Sequence, residues 1–575
     1  MHKSVARKIY LSFALLNRLE WSKFVRTVKN SSMIFNTKKN NIERLRDSFG
    51  KQKDDSFNFE WIENYSKKKD NSDSFQVISE KTCSDLDFHE LFKFVDRTNS
   101  KIGQQFLYNK LRVIPKNLHK RDEDEKLIEK LRKDGDFRVN IQYYLDKLDD
   151  TEAYYVNSLF QEEHIKPPKW FFIIRLLSFT SLMSLIMMFF DRQFFIVFIG
   201  TFIVNMGMHY WNKKNLSMYL SSLPQLLKMN AIVKVLYKDD SLKEMKPNLH
   251  ESIGVVDSLR RRMAFFKLEA KMQGDFEMVF WGILELFKIA FLLEPLLLFG
   301  VLGRLEKKRK DIENLFEFVG EVDSLVSVAS LREGLENYCV PDINENRSEI
   351  VAKEIYHPLI SDCVRNSISV KDKSILLTGS NMSGKTSFIR TVGLNVITGL
   401  TINTCFAQSI NIPRVRVYSA IRISDDLMND KSYYFEEVLT IKEMMNNSSD
   451  SVPSLFLLDE IFKGTNTVER ISAGKAVLSS LAMNNNIVFV STHDIELADL
   501  LTDEYELHHF SEVVDNNNVD FDYKLKDGKL RNRNAIRILQ INDYPESVIK
   551  EAIEISERLD KAVTTTTNFP EIYSI

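Results

Sequence analysis

Gly379-Ser380-Asn381-Met382-Ser383-Gly384-Lys385-Thr386 follows the apolar run Ile375-Leu376-Leu377 and precedes a helical pattern from about Lys385 to Thr398. A strand, a glycine-framed loop and a helix in that order predict a phosphate cradle. Gly379 and Gly384 let the backbone curl so that its N–H groups face the phosphates. The helix start adds a partial positive charge. Ser380, Asn381, Met382 and Ser383 complete the loop, and Ser387 lies in the first helical turn. Lys385 is placed to reach the β- and γ-phosphates, and Thr386 to hold the metal through its hydroxyl. The ligand this pattern implies is a nucleoside triphosphate with magnesium. A plain glycine turn is the alternative, and the strand-loop-helix context speaks against it.

Two further apolar runs lie downstream. Leu455-Phe456-Leu457-Leu458 ends in Asp459-Glu460, and Ile487-Val488-Phe489-Val490 ends in Ser491-Thr492-His493. Strands that are apolar throughout belong to a parallel sheet covered on both faces. Ligands bind at the C-terminal edge of such a sheet. Asp459 is therefore a candidate Mg²⁺ ligand, and Glu460 a candidate to orient and deprotonate an attacking water. Paired acids at a strand end also cap helices, and a lone histidine is ordinarily structural. At this edge His493 becomes a candidate sensor of the γ-phosphate. Phe462-Lys463-Gly464-Thr465-Asn466-Thr467 reads as a polar turn before another helix.

Between the loop and the acids lie Ser424-Asp425-Asp426 and Ser432-Tyr433-Tyr434-Phe435-Glu436-Glu437. Ser432 followed by Glu436 or Glu437 suits a helix N-cap. A serine at a helix start can also bind an anion brought by another subunit.

Upstream the pattern changes. Trp170 to Phe190 carries one charge, Arg175. Asp191-Arg192-Gln193 interrupts, and Phe194 to Trp211 is uncharged. Each segment matches the roughly 20 residues that span a bilayer core, and the short break predicts an antiparallel transmembrane hairpin over 170–211. Lys166, Lys169, Lys213 and Lys214 flank it on one side, which orients both ends toward the cytoplasm. Trp170, Tyr210 and Trp211 stand where interfacial aromatics belong. A buried hairpin in a helical domain is the other reading. Met278 to Val301 is apolar but contains Glu285, Lys288 and Glu294, which argues against a simple span and for a core helix or a membrane-surface segment. Glu285 and Lys288 are spaced to pair on one helix face. The charged run Arg304 to Glu313 predicts a long exposed helix.

The chain has 575 residues and a formal charge of -2, with 44% hydrophobic and 27% charged residues. That composition predicts large cores and no global attraction to nucleic acid; Arg531, Arg533 and Arg537 form a local basic cluster. Cys83, Cys339, Cys363 and Cys405 are far apart, so neither a zinc knuckle nor a disulfide framework is indicated, and a reducing setting fits. Ile9 to Leu16, preceded by Lys3, Arg7 and Lys8, reads as an amphipathic helix rather than a signal peptide. Lys67 to Ser72 reads as a solvated linker, and Thr564 to Thr567 as a low-complexity tail.

The order of these motifs resembles the MutS family of ABC-type ATPases. Gly379 to Thr386, with its Asn381-Met382 pair, is similar to that family's Walker A. Asp459-Glu460-Ile461 with Gly464-Thr465-Asn466-Thr467 resembles its Walker B and D-loop, and Ser491-Thr492-His493 its switch histidine. Ser424-Asp425-Asp426 with Ser432 and Glu437 resembles its signature segment. Asp87 to Gly103 resembles the start of its helical core, and Tyr356-His357-Pro358 the element that opens its ATPase domain. The Leu-Ser-Gly-Gly-Gln signature of transporter ATPases is missing from this region. Only about 80 residues precede the core match, too few for the family's mismatch reader and connector, and Phe88-His89-Glu90 falls inside the core motif.

The resemblance implies an ATP- and Mg²⁺-dependent ATPase acting as a homodimer through its ATPase domain. Ser432 and Glu437 of one chain would face the nucleotide held by the other. The expected fold is mixed: an N-terminal segment (1–80), a helical core and lever (81–345) carrying the membrane hairpin, an α/β P-loop ATPase domain (346–560) and a tail (561–575). Function divides between an ATPase coupled to mismatched or branched duplex DNA and a membrane-tethered mechanochemical or scaffolding ATPase without a DNA role. The hairpin places the protein in the inner or cytoplasmic membrane with the ATPase domain in the cytoplasm.

Overall fold

The computed structural model describes residues 38–566 apart from 271–274, 346–347, 381, 423–432, 449–451, 516–517, 531–534 and 543. The chain divides into two compact units. One holds Met1–Gln52, Arg97–Gly103 and Leu127–Gly334; the other holds Lys53–Asp96, Gln104–Lys126 and Leu335–Ile575. This division differs from boundaries near 80 and 345, and hydrogen bonding explains part of the difference. The buried Asp85 carboxylate accepts from Ser419 Oγ (2.7 Å) and from the backbone N–H groups of Ile421 (3.0 Å) and Arg422 (2.9 Å). The helix Glu80–Asp85 is thereby fastened to the C-terminal sheet. Nor is the segment before it only linker: Phe59–Lys68 is helical and buries Ile62 and Tyr65.

The first unit is helical. Its main elements are α1 (Phe171–Met187), α2 (Phe194–Leu236), α3 (Leu249–Ala270), α4 (Asp275–Phe291), α5 (Leu293–Leu305) and α6 (Arg309–Gly334). The α1–α2 hairpin forms around the expected break, where Asp191 Oδ1 accepts from the Gln193 N–H at 3.0 Å. Trp170 and Trp211 meet at its base with ring centroids 5.4 Å apart. α2 does not stop at Trp211. It carries Pro224 within it and runs 43 residues, or ~65 Å at 1.5 Å per residue.

Polarity in the hairpin is inverted. Phe172, Phe179, Phe189, Phe190, Ile196 and Ile203 are exposed, while Ser181, Ser184, Asn205 and His209 are buried. Among the described residues, Phe194–Trp211 is long and apolar enough to cross a membrane, and α1 is a shorter apolar helix.

Met278–Val301 is not one helix. It breaks at Leu292, whose φ is +48°, and the chain bends by 75° there. The charges that argued against a span are gathered inside, where Lys288 Nζ lies 2.7 Å from Glu285 and 2.6 Å from Glu294. Within the charged run Arg304, Glu306, Lys307 and Lys310 are exposed, but the long helix that continues from it, α6, is largely buried. Ile312, Leu315, Phe316, Val319 and Val322 are buried, at the spacing of one helix face.

The second unit is built on a six-stranded sheet. Its strands are β1 (Ser374–Thr378), β2 (Arg416–Ala420), β3 (Ser454–Asp459), β4 (Ile487–Ser491), β5 (Tyr505–His509) and β6 (Lys526–Asp527), with α7 (Lys385–Ile402), α8 (Tyr433–Ser448) and α9 (Thr467–Leu481) between them. The spatial order is β6-β5-β1-β4-β3-β2, parallel except for β6. β1 and β4 are buried along their whole length, as is β3 up to Asp459, because both sheet faces are covered. The register sets Ser491 beside Asp459 and Ser491 beside Leu377. Three adjacent strands therefore deliver their C-terminal residues to one edge. A four-stranded sheet of Asp342–Asn344, Ser409–Pro413, Ile350–Ile355 and Asn366–Val370 completes the unit, with a hairpin of Glu512–Asp515 and Asn518–Phe521.

Candidate functional site

Beyond β1 the chain turns through Gly379 at φ +147°, Met382 at +69° and Gly384 at +107°. A Cβ on Gly379 would lie 2.6 Å from the Phe510 carbonyl, so the loop requires glycine there for space as well as conformation. Gly384 is the N-cap of α7. The free N–H groups of that 18-residue helix open where the loop ends. Met382 projects outward with 81% exposure, as no packing residue would.

Lys385 is buried, and its Nζ donates to the carbonyls of Gly379 and Ser380, both at 2.8 Å. Burial lowers its pKa, opposed by the nearby Glu460 and Asp459 carboxylates. Thr386 Oγ1 donates to Asp459 Oδ2 at 2.8 Å, and Ser491 Oγ donates to the other carboxylate oxygen. The threonine hydroxyl and the aspartate thus converge, as a hard cation bound by oxygen ligands requires.

Glu460 is the next residue, with a left-handed φ of +51°; a non-glycine residue there stores strain that clusters at functional sites. Its N–H donates to the Ser491 carbonyl at 2.9 Å. Its two carboxylate oxygens face His493 Nε2 at 2.6 Å and Lys463 Nζ at 2.8 Å. Burial acts to raise its pKa, but hydrogen bonds from His493 and Lys463 outweigh that and hold it down at about 2, from an ordinary 4.5.

A cleft of 720 Å³ is lined by Lys385, Thr386, Asp459, Glu460, Tyr356 and Tyr523 among others, with His493 behind Glu460 rather than in the lining. That volume is ordinary for a small-molecule site. His357, from the expected His-Pro element, lines it too. Its pKa is lowered to about 4 by burial and by Arg390, so at neutral pH it offers an uncharged ring.

Lys385, Thr386, Asp459, Glu460 and His493 are therefore brought to one sheet edge, with Gly379, Ser380, Met382, Ser383, Gly384 and Ser387 in or beside the loop. Asn381 and Ser432 lie outside the described residues, as do Ser424, Asp425, Asp426, Arg531 and Arg533. Glu437 does not face outward toward a second subunit. It is fully buried in its own chain, and its Oε1 accepts from the Phe462 N–H at 2.5 Å. Phe462 has φ +60°, so Glu437 holds the strained turn that follows Glu460.

Tyr523 and Glu512 are among the residues at the site that were not singled out from sequence. Tyr523 comes to the cleft from beyond β5. Glu512 Oε2 accepts from Ser380 Oγ at 2.6 Å, setting a carboxylate against the loop. Both arrive by tertiary folding from more than 120 positions away, with no local spacing to announce them.

The Glu460 cluster has a pH signature. A carboxylate whose folded pKa is depressed contributes stability above its unfolded value, near pH 4.5, and loses it as pH falls toward 2. Lys463→Ala removes one of two partners, and we expect thermal stability to fall by about 1 kcal/mol above pH 5. Below pH 2 the variant and the parent should melt alike. Melting curves from pH 2 to 7 that differ by a constant offset would show that the pair does not set the Glu460 charge.

Residues 375–560 match the family described as MutS domain V. Proteins named DNA mismatch repair protein MutS are similar over part of the chain. That of Oceanobacillus iheyensis is 28% identical over 334 residues, covering 55% of this chain and 37% of its own. That of Petrotoga mobilis is 30% identical over 294 residues, covering 48% and 34%. That of Aquifex pyrophilus is 28% identical over 265 residues, covering 44% and 30%. The chain spans about a third of the length of these curated relatives. With the domain match and these relatives together, the chain is a MutS-family protein carrying that family's ATPase domain.

Proposed function

We propose that this protein is a membrane-tethered ATPase that binds ATP with Mg²⁺ in the cleft beside Lys385 and hydrolyses it. The observation that carries this reading is the convergence, at one sheet edge, of a helix N-terminus, a buried lysine, a threonine–aspartate pair and a glutamate–histidine pair. In this reading Lys385 exchanges the carbonyls of Gly379 and Ser380 for the β- and γ-phosphates. Thr386 and Asp459 would hold Mg²⁺, which when bound would neutralise charge on the phosphates. Glu460 orients the attacking water and takes its proton. His493, already against Glu460, turns the carboxylate and donates toward the γ-phosphate as charge builds there. Lys463 keeps the glutamate paired at rest. Two copies would join through the ATPase domain, Ser432 of each completing the other's site, as the family resemblance implies.

The output divides into two readings. The exposed apolar hairpin with its buried polar face supports a tether in the inner or cytoplasmic membrane, since lipid is the solvent that such a surface suits. The basic residues flanking it orient the ATPase domain toward the cytoplasm. The relatives' names support the other reading, that ATP turnover is coupled to duplex DNA; that rests on family analogy.

The test uses the full chain in cells and in detergent. We expect it to remain with membranes after carbonate extraction, and its purified form to turn over ATP only with magnesium. Release by carbonate would overturn the tether. A salt-dependent shift with duplex DNA, with turnover stimulated by DNA and indifferent to lipid, would select the second output. No magnesium-dependent turnover under any of these conditions would overturn the ATPase.

A further inference from the structure

Four ionisable side chains meet inside the helical unit. His209 comes from α2, Glu285 and Lys288 from α4, and Glu294 from α5. Their exposures are 1%, 8%, 1% and 3%. Lys288 Nζ bridges the carboxylates at 2.7 Å (Glu285) and 2.6 Å (Glu294). The imidazole lies between the same acids, with Nε2 3.3 Å from Glu285 Oε1 and Nδ1 3.8 Å from Glu294 Oε2. One turn before His209 on α2, Asn205 Nδ2 donates to the Ala290 carbonyl at 2.7 Å, beside the bend at Leu292.

We propose that His209, Glu285 and Glu294 form a site for a divalent first-row transition cation, with Lys288 as the protein's own competing cation. Three observations carry this. The donor atoms of the three residues all lie within 4.8 Å of one another, and ligands about 2.0–2.2 Å from one ion must converge in this way. His209 Nδ1 is buried, makes no hydrogen bond and faces Glu294; an orphaned ring nitrogen of this kind calls for a partner.

Charge supplies the third observation. With both acids ionised and the imidazole neutral, the forms that bind a metal, two carboxylates and one ammonium leave one negative charge where water is nearly excluded, which is costly unless compensated. A dication balances both acids, and Lys288 bridging them marks the position where positive charge is favoured. One imidazole nitrogen with two carboxylate oxygens suits Zn²⁺, Mn²⁺ or Fe²⁺, whereas Ca²⁺ and Mg²⁺ favour oxygen alone. The site would pin α2 to the bend between α4 and α5.

The experiment uses the full chain, detergent-solubilised and stripped with chelator. Co²⁺ is followed by its visible absorption and Zn²⁺ by calorimetry. We expect one saturable Co²⁺ band that is lost in His209→Ala and Glu294→Gln but kept in Asp459→Asn, which separates it from ions at the ATPase cleft. Removing a ligand should weaken Zn²⁺ binding at least about tenfold, and Lys288→Met should tighten it by a similar factor. Should Lys288→Met fail to fold by circular dichroism, the parent and His209→Ala still decide. No saturable binding by the parent, or binding unchanged in His209→Ala, overturns the site.

Discussion

Glu460→Gln is expected to bind ATP and to hydrolyse it about 10²–10⁴-fold more slowly, the range a positioned general base contributes. The substitution keeps the size of the side chain and an acceptor for Lys463, 2.8 Å away. It removes the charge that can take a proton from water. Lys385, Thr386 and Asp459 are untouched, so the groups proposed to hold ATP·Mg²⁺ remain. The consequence is a trapped nucleotide state. If two copies close around ATP, the variant should accumulate as a dimer with ATP and revert to the parent's distribution with ADP. Two measurements separate chemistry from folding. Phosphate release gives the rate, and fluorescent-nucleotide titration gives the affinity. Turnover at the parent's rate would remove Glu460 from the chemistry. A collapse of affinity along with rate would mean that the left-handed turn, not the carboxylate, had been damaged.

Much of the ATPase domain was legible because its strands obey a strong rule. β1, β3 and β4 are covered on both faces, so each is an unbroken apolar run whose end can be read residue by residue. Lys385, Asp459, Glu460 and His493 stand at or just beyond those ends. What decides their resting state was not legible. Lys463 bonds Glu460 because the backbone turns left-handed at both Glu460 and Phe462, and neither residue is a glycine that would announce it. The family resemblance makes Glu437 a partner-facing acid, whereas its spacing from Ser432 fits a helix start. Folding turns it inward to the Phe462 N–H. In the helical unit, charges at 285, 288 and 294 argued against a simple span, yet the chain meets them by breaking at Leu292 and pairing them inside. Hydropathy averages along the chain, whereas pairing of this kind is decided across it.

Lys385→Ala is expected to weaken ATP binding by a factor of about 10²–10⁴. The ammonium can make two charge-assisted hydrogen bonds to phosphate oxygens, each worth about 1.5–3 kcal/mol, and each 1.4 kcal/mol is about tenfold. The same nitrogen now bonds the Gly379 and Ser380 carbonyls at 2.8 Å, so part of the gain offsets bonds already made. Alanine also leaves those carbonyls without that donor, and the loop loses a clamp. Lys385→Arg divides the two contributions. A guanidinium keeps the charge but is planar and larger, and the buried position leaves little room for it. If charge alone mattered, arginine would restore most of the affinity; if the tetrahedral ammonium must sit inside the loop, it would restore little. Nucleotide titration with the melting temperature in the absence of nucleotide separates binding from loop stability. Unchanged ATP affinity in Lys385→Ala, in a protein that melts like the parent, would mean that the cleft beside α7 does not hold the phosphates.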